Sequence, residues 1–110
     1  MEANEFDVVN EGGACTVRCR GQLAGQSAVR LREQVKPLFG AGKRITVDLS
    51  DVTFMDSLGL GVVVTLYVSA RTAGCHLEVV NLSQRVRDLL SVAHLLSLFE
   101  PAGQSTVKMP

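Results

Sequence analysis

Tryptophan is absent from this sequence, tyrosine occurs once, and aromatic residues make up only 5% of the chain. Platforms for stacking nucleic-acid bases therefore have little to be built from. An excess of basic charge is missing as well, because eleven Lys and Arg are balanced by eleven Asp and Glu. Counterion release rewards concentrated positive surface, so the composition argues against direct nucleic-acid binding. No apolar run reaches the ~20 residues that span a bilayer. The longest, Leu58 to Ala70, is interrupted by Gly59, Gly61, Thr65 and Ser69, and no membrane insertion is expected. The opening stretch MEANEFDVVN carries acids where an export signal needs positive charge, and no apolar core follows it. These absences lead us to expect a soluble, cytoplasmic protein.

Cysteine is also sparse, and Cys15, Cys19 and Cys75 are odd in number. On one strand Cys15 and Cys19 share a face but lie roughly 13 Å apart at ~3.3 Å per residue, beyond disulfide reach. They read as small apolar core residues in a reducing compartment. A zinc site with His76 or His94 lacks any paired C-x-x-C or H-x-x-x-H spacing, so no metal ligand is assigned.

What the chain does have is enough apolar content for one core. Hydrophobic residues are 46% and charged residues 20% of 110, and a chain of this length buries roughly 60–70% of its unfolded surface. We expect a single domain over residues 1–110, with 101–110 a loosely ordered tail.

FDVV, then NEGG, then CTVRCRGQL predicts two strands joined by a glycine turn, an antiparallel hairpin. In SAVRLREQVKPLF, Ala28, Leu31, Val35 and Leu38 fall on one helical face, with Ser27 as N-cap and Pro37 bending or shortening the last turn. RITVDLS alternates Ile45, Val47 and Leu49 in a short strand. The following segment, Asp56 to Gly74, is too long for a strand. It has N-cap chemistry at Asp56 and Ser57, Arg71 in the last turn and a C′-like Gly74. Its nearly all-round apolar character predicts a helix buried between a sheet and something else. HLEVVNL reads as a strand. SQRVRDLLSVA reads as an amphipathic helix capped by Ser83, with Val86, Leu89, Leu90 and Ala93 inward, and one short packed element follows it. The order ββαβαβα predicts an α/β fold, a small mixed sheet that opens antiparallel, continues through parallel crossovers and packs against helices. Functional groups in such sheets gather at the carboxyl ends of strands, and Ser57 lies at one.

Two further readings, a serine hydrolase and a phosphate-binding loop, also fail. Ser57 is no nucleophile elbow, because Met55 occupies the first glycine position of G-x-S-x-G. The only candidate bases, His76 and His94, lie on or after apolar elements. FGAGKRIT imitates a phosphate-binding loop, but Leu38 stands where its first glycine belongs and the segment enters a strand. What remains is the helix start. Asp56 can accept hydrogen bonds from the first turn, and Ser57 stands at the positive end of the helix dipole. Gly59 and Gly61 each cost ~1 kcal/mol relative to alanine, which capping alone does not explain. Small residues there let a partner, or the neighbouring sheet, approach closely. A phosphate on Ser57 would be tolerated by the helix end while presenting ~1.5–2 negative charges to whatever docks.

ITVDLSDVTFMDSLGLGVVV resembles the signature of STAS domains of the bacterial anti-sigma factor antagonist type: an apolar strand, D-L, an apolar pair, then D-S-S-G-L-G or D-S-T-G-L-G. VRCRGQL is similar to that family's strand ending in G-E-L-D, GCHLEVVNLSQRVRDLL to its fourth strand and next helix, and LLSLF also matches. The resemblance implies a non-catalytic switch without a cofactor of its own. In that family an anti-sigma factor serine kinase, which supplies ATP and magnesium, phosphorylates the serine after the aspartate. Only the unphosphorylated form holds the kinase and frees the sigma factor, and a phosphoserine phosphatase resets it. Carried over, Ser57 is the phosphorylation site, and Asp56, Ser57, Leu58, Gly59, Gly61, Gln22, Leu23 and Ala24 form the partner-binding set. The chain departs from the pattern at Leu58, which replaces a second hydroxyl, at Gln22 and Ala24, which replace two acids, and at His94, which replaces a glycine. A second reading is a STAS scaffold subunit of a lipid-transport ABC complex or of a larger signalling assembly.

Overall fold

The computed structural model describes residues 5–92. Strands β1 (Phe6–Glu11) and β2 (Ala14–Leu23) lead to helix α1 (Gln26–Val35), which runs into one 3-10 turn over Lys36–Leu38. Strand β3 (Arg44–Met55), helix α2 (Ser57–Thr72), strand β4 (His76–Val80) and helix α3 (Gln84–Val92) complete the order. This is the α/β architecture expected from the sequence. The sheet has the order β1-β2-β3-β4; β1 pairs antiparallel with β2, while β3 lies parallel to both β2 and β4. Gly12 supplies a positive φ of 64° in the turn that closes the hairpin.

Alternation divides the sheet into two unlike faces. Cys15, Val17 and Cys19 on β2, Ile45, Val47 and Leu49 on β3, and Leu77 and Val79 on β4 are all buried. They join Ala28, Leu31 and Val35 of α1, Val62, Val63, Leu66 and Ala70 of α2, and Val86 and Leu90 of α3 in one apolar cluster. The intervening Thr16, Arg18, His76 and Glu78 are exposed, as on a mixed sheet covered on one side. Asp48 is the exception: it belongs to the polar side yet is only 6% exposed. Asp48 accepts hydrogen bonds from the Ser50 backbone N–H at 2.9 Å and from Asn81 at 3.2 Å, and Arg18 lies 3.4 Å away. Burial alone would raise its carboxyl, but those bonds and the Arg18 charge outweigh it and hold Asp48 below its ordinary range.

Four local readings are corrected. Strand β3 continues past Ser50 to Met55, because register shifts at Arg18/Arg20 and Gly21/Gln22 let its second half keep pairing with the end of β2. Ser27 does not cap α1; Gly25 holds the N-cap position, and the Ser27 hydroxyl turns back to the chain before it. Pro37 shortens α1 as expected, and Leu38 is half-buried in the 3-10 turn, outside the helix. Helix α2 is not buried all round, since Leu58 is 46% and Val68 54% exposed. Its ends match the sequence reading, with Asp56 as N-cap and Gly74, at φ 76°, in the left-handed conformation just beyond Ala73. Ser83 caps α3, its Oγ accepting the Val86 N–H at 3.3 Å. Ala93, His94, LLSLF and the expected tail over 101–110 lie outside the described residues.

Candidate functional site

The carboxyl end of β3 delivers Asp56 and Ser57 to the start of α2. Asp56 is extended at φ −105°, and its Oδ1 accepts the Gly59 N–H at 2.8 Å while its carbonyl accepts the Leu60 N–H at 3.0 Å. The cap is thus complete without Ser57. Ser57 is exposed at the first helical position, and among the described residues no hydrogen bond engages its hydroxyl. Leu58 presents an apolar side chain beside it.

The two glycines of the motif prove unlike. A Cβ on Gly59 would lie 2.0 Å from the Leu23 carbonyl oxygen and 3.0 Å from Met55 Cγ, whereas one on Gly61 would meet nothing within 4 Å among the described residues. Of the two explanations for small residues here, close approach of the sheet accounts for Gly59. Gly61 is exposed and open to the outside.

That contact joins the second half of the expected site to the first. The chain leaving β2 presents Gln22 exposed and Ala24 half-buried, while Leu23 is 1% exposed and anchored in the core. Leu23 and Gly59 therefore build the site from inside, and Gln22, Ala24, Ser57, Leu58 and Gly61 form its outer surface. Beside Gln22 and Ala24 opens a shallow cavity of about 380 Å³ whose wall includes Arg20 and Arg30. Arg20 pairs with Asp7, and Arg30 grips both carboxylate oxygens of Glu5 at 2.6 Å, so neither arginine gives the cavity uncompensated charge. The Arg30 hydrogen bonds hold the Glu5 carboxyl below its usual range.

One neighbour went unnoticed in the sequence. Phe54 is 40% exposed and stands opposite Gln22 in the β2–β3 register, adding an aromatic ring to the strand end that precedes Ser57. The signal was an aromatic residue one position out of phase with buried Met55. His76 pairs with Arg44 at the far end of β3 and is remote from Ser57. Among the described residues no three His, Cys, Asp or Glu side chains cluster as a metal site, and no helix is long and apolar enough to cross a membrane. All three cysteines are buried and free, and the Cys19 thiol is pushed up to about 12 by burial, reinforced by the Asp48 charge.

Comparison with known proteins agrees with this geometry. Residues 5–108 match the STAS domain family. The anti-sigma-B factor antagonist of Bacillus subtilis (strain 168) is 32% identical over 99 residues, covering 90% of this chain and 91% of that protein. Among solved structures, the anti-sigma factor antagonist SpoIIAA in its unphosphorylated form superposes with a TM-score of 0.73 at 20% identity, covering 92% of this chain and 90% of that one. An anti-sigma factor antagonist from Mycobacterium paratuberculosis also gives 0.73, at 21% identity over 86% of this chain and 80% of its own. The fold is thus shared along nearly the whole length, and the chain belongs to the STAS domain family, among its anti-sigma factor antagonists.

Proposed function

We propose that this chain is a phosphorylation-controlled protein-binding switch. With Ser57 unmodified it binds an anti-sigma factor serine kinase and so releases a sigma factor; transfer of phosphate to Ser57 ends the interaction, and a phosphoserine phosphatase restores it. ATP and magnesium belong to the kinase. The observation that carries this reading is the free, exposed Ser57 hydroxyl beside a cap that Asp56 already completes.

Placement makes the switch physically economical. A phosphate at the first position of α2 meets the positive end of the helix dipole, so the free protein accommodates ~1.5–2 negative charges. A docked partner must strip water from the same charge, at a cost that exceeds a lost contact. Leu58, Gly61 and Phe54 lie near Ser57 along the chain, and Gln22 and Ala24 flank Leu23, whose carbonyl meets Gly59; these five uncharged residues, with Asp56 beside them, make the surface on which the partner would rest.

Incubation with an anti-sigma kinase from the same organism, ATP and magnesium should raise the intact mass by one phosphate. Ser57→Ala should abolish the rise and keep the two proteins together in a pull-down whether or not ATP is present. A phosphate mapped to Ser50 or Thr53, both exposed, would overturn the assignment.

A further inference from the structure

Ser27 is 6% exposed, yet its hydroxyl serves the chain that precedes it. Its Oγ accepts the Ala24 N–H at 2.9 Å and lies 2.7 Å from the Gln22 carbonyl and 2.8 Å from the Ala24 carbonyl, between which its one proton is shared. Residues 22–24 are therefore clamped onto the first turn of α1. Leu23, in the middle of the clamp, has its side chain locked in the core and its carbonyl oxygen pressed on Gly59. Gly59 is also held through its N–H by Asp56. The end of β2 and Gly59 are therefore in close contact, so a shift of residues 22–24 toward α2 presses on Gly59 and the turn that carries Ser57, and a shift away removes that support.

We infer that Ser27 is a positioning residue for Ser57. It makes the Gln22–Ala24 connection and the start of α2 one rigid recognition surface, though it touches neither Ser57 nor a partner. The claim rests on the reading of Ser57 as the phosphoacceptor. Its mechanical part is separable: without the hydroxyl, the Ala24 N–H and the Gln22 carbonyl lose their buried partner, the connection loosens, and the Asp56–Gly59 cap loosens with it.

Amide hydrogen exchange on the whole protein tests the mechanical link. In Ser27→Ala the Gly59 and Leu60 amides should exchange at least about threefold faster, while the Arg87 amide in α3 keeps its rate. In Ser83→Ala, which removes a hydroxyl cap from α3, the pattern should reverse. Unchanged exchange at Gly59 and Leu60 in Ser27→Ala, or equal acceleration at Val47 in the centre of β3, would overturn the link, the latter because it marks global loss of stability. The functional arm measures phosphorylation of Ser57 by a serine kinase that modifies the unaltered protein. There kcat/KM should fall about threefold or more in Ser27→Ala but not in Ser83→Ala, tracking the local openings; equal rates in both variants would overturn the positioning role. Absence of Ser57 phosphorylation in the unaltered protein would instead overturn the proposed function, whatever the exchange shows.

Discussion

Alanine at Gly59 and alanine at Gly61 should change stability in opposite directions, although the two positions lie two residues apart in one helix. Helix propensity favours either substitution by about 1 kcal/mol. At Gly61 no described residue opposes that gain, since the new methyl would meet none of their atoms within 4 Å. At Gly59 the methyl would lie 2.0 Å from the Leu23 carbonyl oxygen, well over an ångström inside ordinary contact. Neither side gives way cheaply. The obstacle is backbone, held by the Ser27 hydroxyl and by pairing with β3, and Gly59 itself is tied to Asp56. Overpacking typically costs 1–3 kcal/mol and occasionally more, and a backbone clash this close falls at the upper end, leaving Gly59→Ala about 2 kcal/mol less stable. The two variants should then differ by about 3 kcal/mol, separating their melting midpoints by more than about 10 °C. Urea unfolding followed by circular dichroism measures the difference directly, provided the m-value is unchanged. A Gly59→Ala protein as stable as the unaltered one, with partner binding lost, would refute the packing argument and make Gly59 an interface residue.

Other consequences are open to measurement. Asp56→Ala should cost about 1 kcal/mol through loss of the cap, read in the same urea titration. Phosphorylated protein should keep its helix content and melt within about 4–8 °C of the unmodified form, yet bind its kinase at least ~100-fold more weakly, or ~2.7 kcal/mol. Calorimetric titration should find Ser57→Ala binding as tightly as unmodified protein and Ser57→Asp showing part of the loss; equal affinity of the Ala and phosphorylated forms would reject a charge mechanism. Asp48 is held below its ordinary 3.8 in the fold, so its contribution is complete above that value and is lost as pH falls through the lower folded-state value. Stability should therefore fall as the pH is lowered past that value, less so in Asp48→Asn, in urea titrations run at successive pH values, with the more exposed Glu5 adding a weaker effect of the same sign. Thiol reagents at about pH 8 should modify the buried cysteines only as the protein opens, with Cys19 slowest; rapid modification of folded protein would contradict the burial.

Much of the architecture was legible because local signals agreed with one another. Alternation in β2 and β3, the Asp56 cap, the Gly74 exit and the Ser83 cap each specify one element by chemistry within a few residues. What escaped depends on contacts between distant segments. Nothing within RITVDLS says that β3 continues to Met55, since that extension needs the shifted register against Arg20–Leu23. Ser27 is well placed to cap α1, and only the path of residues 22–24 shows its hydroxyl turned backwards. The sequence offered Gly59 and Gly61 on equal terms. The carbonyl of Leu23, more than thirty positions earlier, separates them.

The same distinction divides the motif by role. Asp56 is occupied by the cap and Gly59 by the end of β2, so the fold constrains both whatever the partner. Gln22, Ala24 and Leu58, where this chain departs from the pattern it resembles, are exposed or half-exposed around Ser57, and none of their side chains is part of the buried core. Substitution at these positions therefore leaves the scaffold largely indifferent. Relative to that pattern, two missing acids at the end of β2 and just after it, and an added leucine beside Ser57, the proposed phosphoacceptor, make this surface less negative and more apolar. Gly61 belongs with this outer group. It bears the helix penalty of glycine without an internal contact to require it, and a partner backbone or a bound phosphate passing close to the first turns of α2 would supply the missing reason.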